Sequence, residues 1–333
     1  MAPSVVHGYA CNEAGKLLEP FERELPELGE NDARIAVTHC GVCHTDLQAI
    51  DDYYGITEYP LVPGHEVVGH VAAAGRGVTN LKEGDRVGVG WQGRSCGHCE
   101  WCRAGEEQLC MDIVDDASML PNGGFSTAIT VDHRFAYPLP ASMPDDLAAV
   151  LMCAGITAFN SLRGLKGRQS IGILGVGGLG HLAIQFAHAL GHEVTAISTS
   201  PDKEREALGF GAGEFVVADP AAWKKCAYRF DVLLCTAPGS VNWPRLLEIV
   251  KKRGRILLAG FPDVEFNSTD LVAHELSISG SFLSNRAGFR EMLDFVASHP
   301  ITAAIETMPM ASVNEALQRV RDNKARYRIV LVN

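Results

Sequence analysis

Between residues 168 and 198 the hydrophobic period of the chain switches from two to 3.6 and back again. Residues 169–174, QSIGIL, alternate and are β-branched, which reads as a strand. Leu179, Leu182, Ala183, Phe186, Ala187 and Leu190 then recur at helical spacing. Gly191 closes that helix, and residues 192–198 form the next strand. Three more strand-like runs follow: FDVLLCTA (230–237), GRILLAG (254–260) and LSISGSF (276–282). Helical patterns separate them, so this half of the chain is predicted to be α/β with a parallel sheet. Upstream, RVGVGW reads as a strand that ends on Trp91.

The switch from strand to helix carries Gly175-Val176-Gly177-Gly178-Leu179-Gly180, a match to G-x-G-x-x-G. Alone that pattern is weak. Set between strand and helix, it predicts a turn that seats a dinucleotide pyrophosphate on a helix N-terminus. An enzyme that uses NAD usually has an acid at the end of the second strand, for the ribose 2′-hydroxyl. Here that position is Ser198, followed by Thr199, Ser200 and Lys203. Hydroxyls and a lysine suit a 2′-phosphate, so NADP(H) is expected. Asp202 lies beyond the strand end. The alternative is a loose site that takes either cofactor.

Cysteine usage changes the picture of the N-terminal half. The chain has ten cysteines, and four fall in CGHCEWCRAGEEQLC. Cys96, Cys99, Cys102 and Cys110 offer four thiolates to one ion. Such a tetrahedral zinc has no open position, so the expected role is structural. Free thiols or a redox switch are the alternatives. Glu100, Glu106 and Glu107 among Arg94 and Arg103 make a mixed surface, unlike a nucleic-acid-binding zinc module. Cys11, Cys40, Cys226 and Cys235 sit in apolar stretches and read as buried, inert thiols.

Soft ligands also stand beside glycines in three distant segments: HCGVCHTD (39–46), PGHEVVGHV (63–71) and LMCAGITAF (151–159). Singly each is more often a core or surface residue. Together Cys43, His65 and Cys153 make a set of two thiolates and one imidazole, which leaves the fourth position a catalytic zinc needs. Glu66 could fill that position without substrate, and Asp46 could hold the other ring N–H of His65. Both could instead be solvated turn charges.

These motifs, with YPLVPGHEVVG, GDRVGVGW and NKARYRIVLV, resemble the zinc-dependent medium-chain alcohol dehydrogenases over essentially the whole chain. The likeness is to the cinnamyl alcohol dehydrogenase branch, and within it to bacterial NADPH-dependent broad-substrate aldehyde reductases. The resemblance implies an α/β plus β fold. A GroES-like β-barrel catalytic domain takes residues 1–145 and 283–333, with a Rossmann doubly wound parallel sheet inserted at 146–282. It implies two zinc ions per chain, on the two ligand sets above. Thr45 matches the hydroxyl that hydrogen-bonds the substrate oxygen, while His44 and Arg328 match positions approaching the cofactor pyrophosphate. Many relatives carry a histidine as the outer end of a proton relay where this chain has Gln48, which cannot titrate. Relatives commonly dimerise through the Rossmann sheet, so LSISGSF is a candidate interface strand.

The expected activity is zinc-assisted hydride transfer between NADP(H) and an aldehyde or primary alcohol, chiefly as aldehyde reduction. An NAD-linked alcohol or polyol dehydrogenase is the alternative within enzymes. A non-catalytic NADPH- or zinc-binding protein is the alternative outside them. Trp91, Tyr54, Phe282 and Phe289 are candidate pocket aromatics or plain core. A net charge of −11 argues against a nucleic-acid or anionic-membrane partner. With no signal-like start and no run of eighteen apolar residues, a cytoplasmic location is expected.

Overall fold

The computed structural model describes residues 5–25, 27–112, 123–237 and 239–333. The chain divides into two compact units, Met1–Cys153 with Ser284–Asn333, and Ala154–Leu283.

The first unit is organised by the eleven-residue strand Asp32–Val42. One edge of it pairs antiparallel with Val67–Ala74. The other edge serves two partners in succession, Ala128–Asp132 on its first half and Arg328–Val332 on its second. Register shifts at Arg34/Ile35 and Val37/His39 bend the strand and let it do so. The sheet continues through Arg86–Val89 to Ala136–Pro138, and Ile305–Pro309 runs parallel to Arg328–Val332 at the other side. Ile35, Val67, Val87, Ile129 and Ile329 belong to the core it encloses.

Two registers in this sheet position chemistry. Ile329 pairs with Val42, which brings Arg328 alongside Cys43. Cys40 pairs with Val67, and the Gly41 N–H donates to the Glu66 carbonyl at 2.9 Å, so Glu66 faces Gly41.

In the second unit six strands are all parallel. They lie in the order Glu214–Val217, Glu193–Ser198, Ser170–Leu174, Phe230–Cys235, Val250–Leu258, Ser277–Gly280. Numbered along the chain, that order is 3-2-1-4-5-6, the doubly wound arrangement expected from the sequence. Its topological switch point falls between Ser170–Leu174 and Phe230–Cys235. Val250–Leu258 starts ahead of the apolar run at residue 254, because the charged KKR is taken up where the register slips between Phe230 and Val232. Gly191 closes the helix Gly180–Ala189 with φ +85°, a conformation glycine adopts without penalty. Leu233, Trp243, Leu247 and Ile256 form this unit's core. Among the described residues one helical run, Asp145–Arg163, is long and apolar enough to cross a membrane, and 67% of it is buried in protein.

Candidate metal centre and nucleotide loop

The helix His44–Ile50 starts immediately after the strand Asp32–Val42, with Cys43 as its N-cap. Asp46, in its first turn, is fully buried and accepts three hydrogen bonds. They come from Cys43 N (2.8 Å), Gly64 N (3.1 Å) and His65 Nδ1 (2.9 Å). One carboxylate therefore ties the Cys43 segment to the His65 segment. It also keeps the proton of His65 on Nδ1 and leaves Nε2 as the ligand atom. Cys153 arrives from the wide-turn π-helical segment Leu151–Gly155, a distortion common at functional sites. Ligand atoms of Cys43, His65, Glu66 and Cys153 all lie within 4.8 Å of one another.

Glu66 is fully buried, and its Oε1 accepts from Arg328 Nη2. Its Oε2 has no hydrogen-bond partner among the described residues. A buried, unpaired carboxylate oxygen is costly, and a cation beside it removes that cost. Gly41 makes the room, since a Cβ there would stand 1.9 Å from Glu66 Oε2. Burial pushes the Glu66 carboxyl up to about 7 against the pull of Arg328. Contact with Cys153 holds the Cys43 thiol well below its usual range, and the same contact drives Cys153 well above it. A metal dication between the two sulfurs would bind both as thiolates and release their protons. Burial opposes the charging of His65, but the Asp46 carboxylate outweighs it and raises that pKa. The donor set fits zinc with one position left for exchange.

Thr45 Oγ1 lies 3.7 Å from Cys43 Sγ, while His44 is exposed on the same turn. Arg328 is buried against Glu66. Gln48 accepts from Tyr54 Oη at 2.9 Å. Of the other candidate aromatics, Phe289 is core, stacked on Tyr137 with ring centroids 4.5 Å apart. Trp91 is half-buried and Phe282 exposed.

Cys96, Cys99, Cys102 and Cys110 form the second cluster, again with all sulfurs within 4.8 Å. Cys96 and Cys102 Sγ are 3.9 Å apart. A tetrahedral zinc with bonds of about 2.3 Å needs sulfurs about 3.8 Å apart. Backbone N–H groups of Cys96, Cys99 and Cys102 donate to Cys110, Cys96 and Cys99 sulfurs at 3.4–3.5 Å. Those donors favour thiolates, and the Cys99 thiol is drawn down to about 6, chiefly by Cys102 N–H. The lobe is anchored by Glu107, which is 4% exposed and accepts from Arg286 Nε at 2.7 Å. Gln92 Nε2 adds a bond to the Glu107 carbonyl at 2.9 Å. Sequence reading treated Glu107 as one charge in a mixed surface; its burial was not visible there. The remaining thiols, Cys11, Cys40, Cys226 and Cys235, are free and buried.

In the second unit, Gly175 leaves the strand Ser170–Leu174 with φ +98°. A Cβ at Gly180 would meet the Gly175 carbonyl oxygen at 1.8 Å, whereas one at Gly177 would meet nothing within 4 Å. Gly180 thus allows close helix–strand packing, and Gly177 leaves the backbone open to a pyrophosphate. Gly178 and Leu179 complete the turn into the helix Gly180–Ala189. The Thr236 hydroxyl stands 3.0 Å from both the Leu174 and the Gly175 carbonyl oxygens and shares its one proton between them. It pins the turn at the topological switch point, a role the sequence did not suggest. Ser198 ends its strand buried, and its Oγ accepts from Ser200 N at 3.1 Å. Thr199 is exposed, and Lys203 Nζ donates to the Val176 carbonyl at 2.7 Å, which places its charge at the glycine turn.

Comparison with known proteins agrees with this geometry. Residues 29–141 match the family model described as "Alcohol dehydrogenase GroES-like domain", and residues 178–298 match "Zinc-binding dehydrogenase". Cinnamyl alcohol dehydrogenase 2 of Arabidopsis thaliana is 36% identical over 339 residues, covering 97% of this chain and 90% of that protein. A cinnamyl alcohol dehydrogenase structure from Sorghum bicolor superposes with a TM-score of 0.93 at 37% identity, covering 98% and 97% of the two chains. A Helicobacter pylori CAD structure, described as complexed with NADP(H), gives 0.90 at 28% identity and covers 100% and 99%.

Proposed function

The chain belongs to the zinc-dependent medium-chain alcohol dehydrogenases, and from that premise we propose that it reduces aldehydes to primary alcohols with NADPH. The alcohol–aldehyde chemistry is that of the family. The direction, the cofactor preference and conjugated aldehydes such as cinnamaldehyde as substrates are our reading. One observation carries it: Cys43, His65 and Cys153 converge with an unsatisfied Glu66 oxygen at a buried point.

Cys43, His65 and Cys153 would hold zinc, which would serve as a Lewis acid for the carbonyl oxygen, and a bound reduced nicotinamide would supply the hydride. The residues do the rest. Two thiolates and a neutral imidazole would cancel a dication's charge, so such a centre would polarise a carbonyl without retaining the alcohol. Asp46 fixes the His65 ring and its tautomer. Thr45, beside the Cys43 sulfur, holds a proton at Oγ1 for the oxygen of the substrate. Arg328 holds Glu66 by Oε1, which leaves Oε2 as the oxygen that would meet a cation and could give way to substrate.

Support for NADPH is the lack of an acid at Ser198 together with Lys203 at the glycine turn. Initial rates with cinnamaldehyde and hexanal should show kcat/KM for NADPH at least about tenfold above NADH. Lys203→Glu should erase most of that preference, since one lost charge-assisted contact is about 1.5–3 kcal/mol. A wild-type preference for NADH would refute the cofactor assignment.

We also infer a homodimer through the outer strand Ser277–Gly280, whose free edge is exposed and has Val264, Val272 and Phe282 exposed in the same unit. Light scattering should give twice the 35.8 kDa chain mass, and Ile278→Pro should yield monomer. A wild-type monomer would remove this reading. We further infer a cytoplasmic location, since six cysteines gathered as candidate metal ligands and four buried thiols suit a reducing compartment.

A further inference from the structure

The glycine turn occupies the carboxyl ends of the parallel strands. At their amino ends, about 17 Å away at 3.3 Å per strand residue, lies a feature the reaction does not use. A cleft of about 440 Å³ is lined by six cations, Lys166, Arg168, Lys251, Lys252, Arg253 and Arg255, and by one carboxylate, Asp231. In a chain of net charge −11 this concentration runs against the average.

The fold builds it deliberately. The run KKRGR lies where Val250–Leu258 slips register against Phe230–Cys235, so the extra residues bulge from the ladder. Gly254 permits the bulge, since a Cβ there would stand 2.5 Å from Val250 Cγ1 and 2.7 Å from the Lys251 carbonyl oxygen. Lys166 and Arg168 come from the turn before Ser170–Leu174 and form the facing wall. Asp231 ties the walls together, accepting from Ser170 N at 2.8 Å and from Lys251 Nζ at 2.9 Å. Arg168 pairs with Glu193 and Arg253 with Glu275, but every partner in those two pairs is more than half exposed, and such pairs contribute little. Lys166, Lys252 and Arg255 have no carboxylate partner among the described residues, and all three are exposed. A concave surface with three uncompensated cations focuses positive potential. Its guanidinium and ammonium donors match phosphate oxygens.

We propose that this cleft binds a compact polyphosphate, either a free oligophosphate or the phosphate tail of a nucleotide, at a site separate from the dinucleotide turn. The test is calorimetric titration of the intact enzyme, saturated with NADPH, with inorganic triphosphate and in parallel with ATP. The expected result is one saturable triphosphate site per chain, weakened by added salt. Lys252→Glu with Arg255→Glu should weaken it at least about tenfold and leave the KM for NADPH unchanged. Equal binding of ATP and triphosphate means the phosphates alone are read, and tighter ATP means the nucleoside adds contacts; both support the site. No saturable binding, binding untouched by the double variant, or binding abolished by NADPH would overturn it. So would short duplex DNA binding more tightly than triphosphate at the same salt.

Discussion

Replacing His65 with alanine is expected to lower kcat/KM for aldehyde reduction by at least about 10³-fold, while the protein stays folded and keeps one zinc of two. A Lewis acid contributes several kcal/mol to polarising a carbonyl, and each 1.36 kcal/mol is a factor of ten in rate. The fold should survive because Asp46, the partner His65 loses, still accepts from Cys43 N and Gly64 N. Both sites lie in one unit, so the metal count separates them: the Cys₄ lobe shares no ligand with His65. Cys43→Ser should behave likewise, with the added loss of the sulfur beside Thr45. Asp46→Asn should lose less, because an amide can still hold the ring but favours the wrong tautomer. Near-wild-type turnover in His65→Ala would end the assignment of this cluster as the reaction centre.

What the sequence made legible follows from distance along the chain. The α/β half announced itself because strand and helix periods are local, and the observed strands fall within a few residues of the apolar runs. The Cys₄ lobe was equally plain, with its ligands inside fifteen residues. Cys43, His65 and Cys153 could be suspected only as a set. The buried Asp46 carboxylate ties Cys43 to His65, and Cys153 comes from the irregular segment Leu151–Gly155; neither device leaves a periodic trace. Nothing in the sequence marks Gly41, yet its missing side chain is the space Glu66 uses. Arg328 stands beside Cys43 only because the last strand returns to pair with residues 39–42. Thr236 and Glu107 were invisible for the same reason. Their partners are 62 and 179 residues away, and a single threonine or glutamate in a sequence carries no sign of burial.

Cys99→Ser should act on stability and not on chemistry. The lobe has few apolar residues of its own: Trp101, Leu109 and Met111 are all exposed, and Cys110 is its buried hydrophobic residue. Metal coordination must therefore supply most of its order, as in small zinc modules whose binding free energy is folding free energy. Loss of one thiolate should release that zinc and free the stretch around Cys96–Cys110. The Glu107–Arg286 pair, buried on the Glu107 side in the docked lobe, is then broken, and breaking such a pair is strongly destabilising. If undocking costs about 3 kcal/mol, Tm should fall by roughly 6–12 °C for a unit of this size. Soluble yield should fall with it. Among molecules that remain folded, kcat and the KM for aldehyde should be close to wild type, because none of Cys43, His65 and Cys153 takes a ligand atom from the lobe. Zinc content, a thermal melt and active-site-normalised kcat on the same preparation make the comparison. Unchanged Tm with lost turnover would invert the roles of the two clusters. A lowered Tm with turnover retained is the pattern that a closed, four-sulfur site requires, since it has no position at which a substrate oxygen can bind.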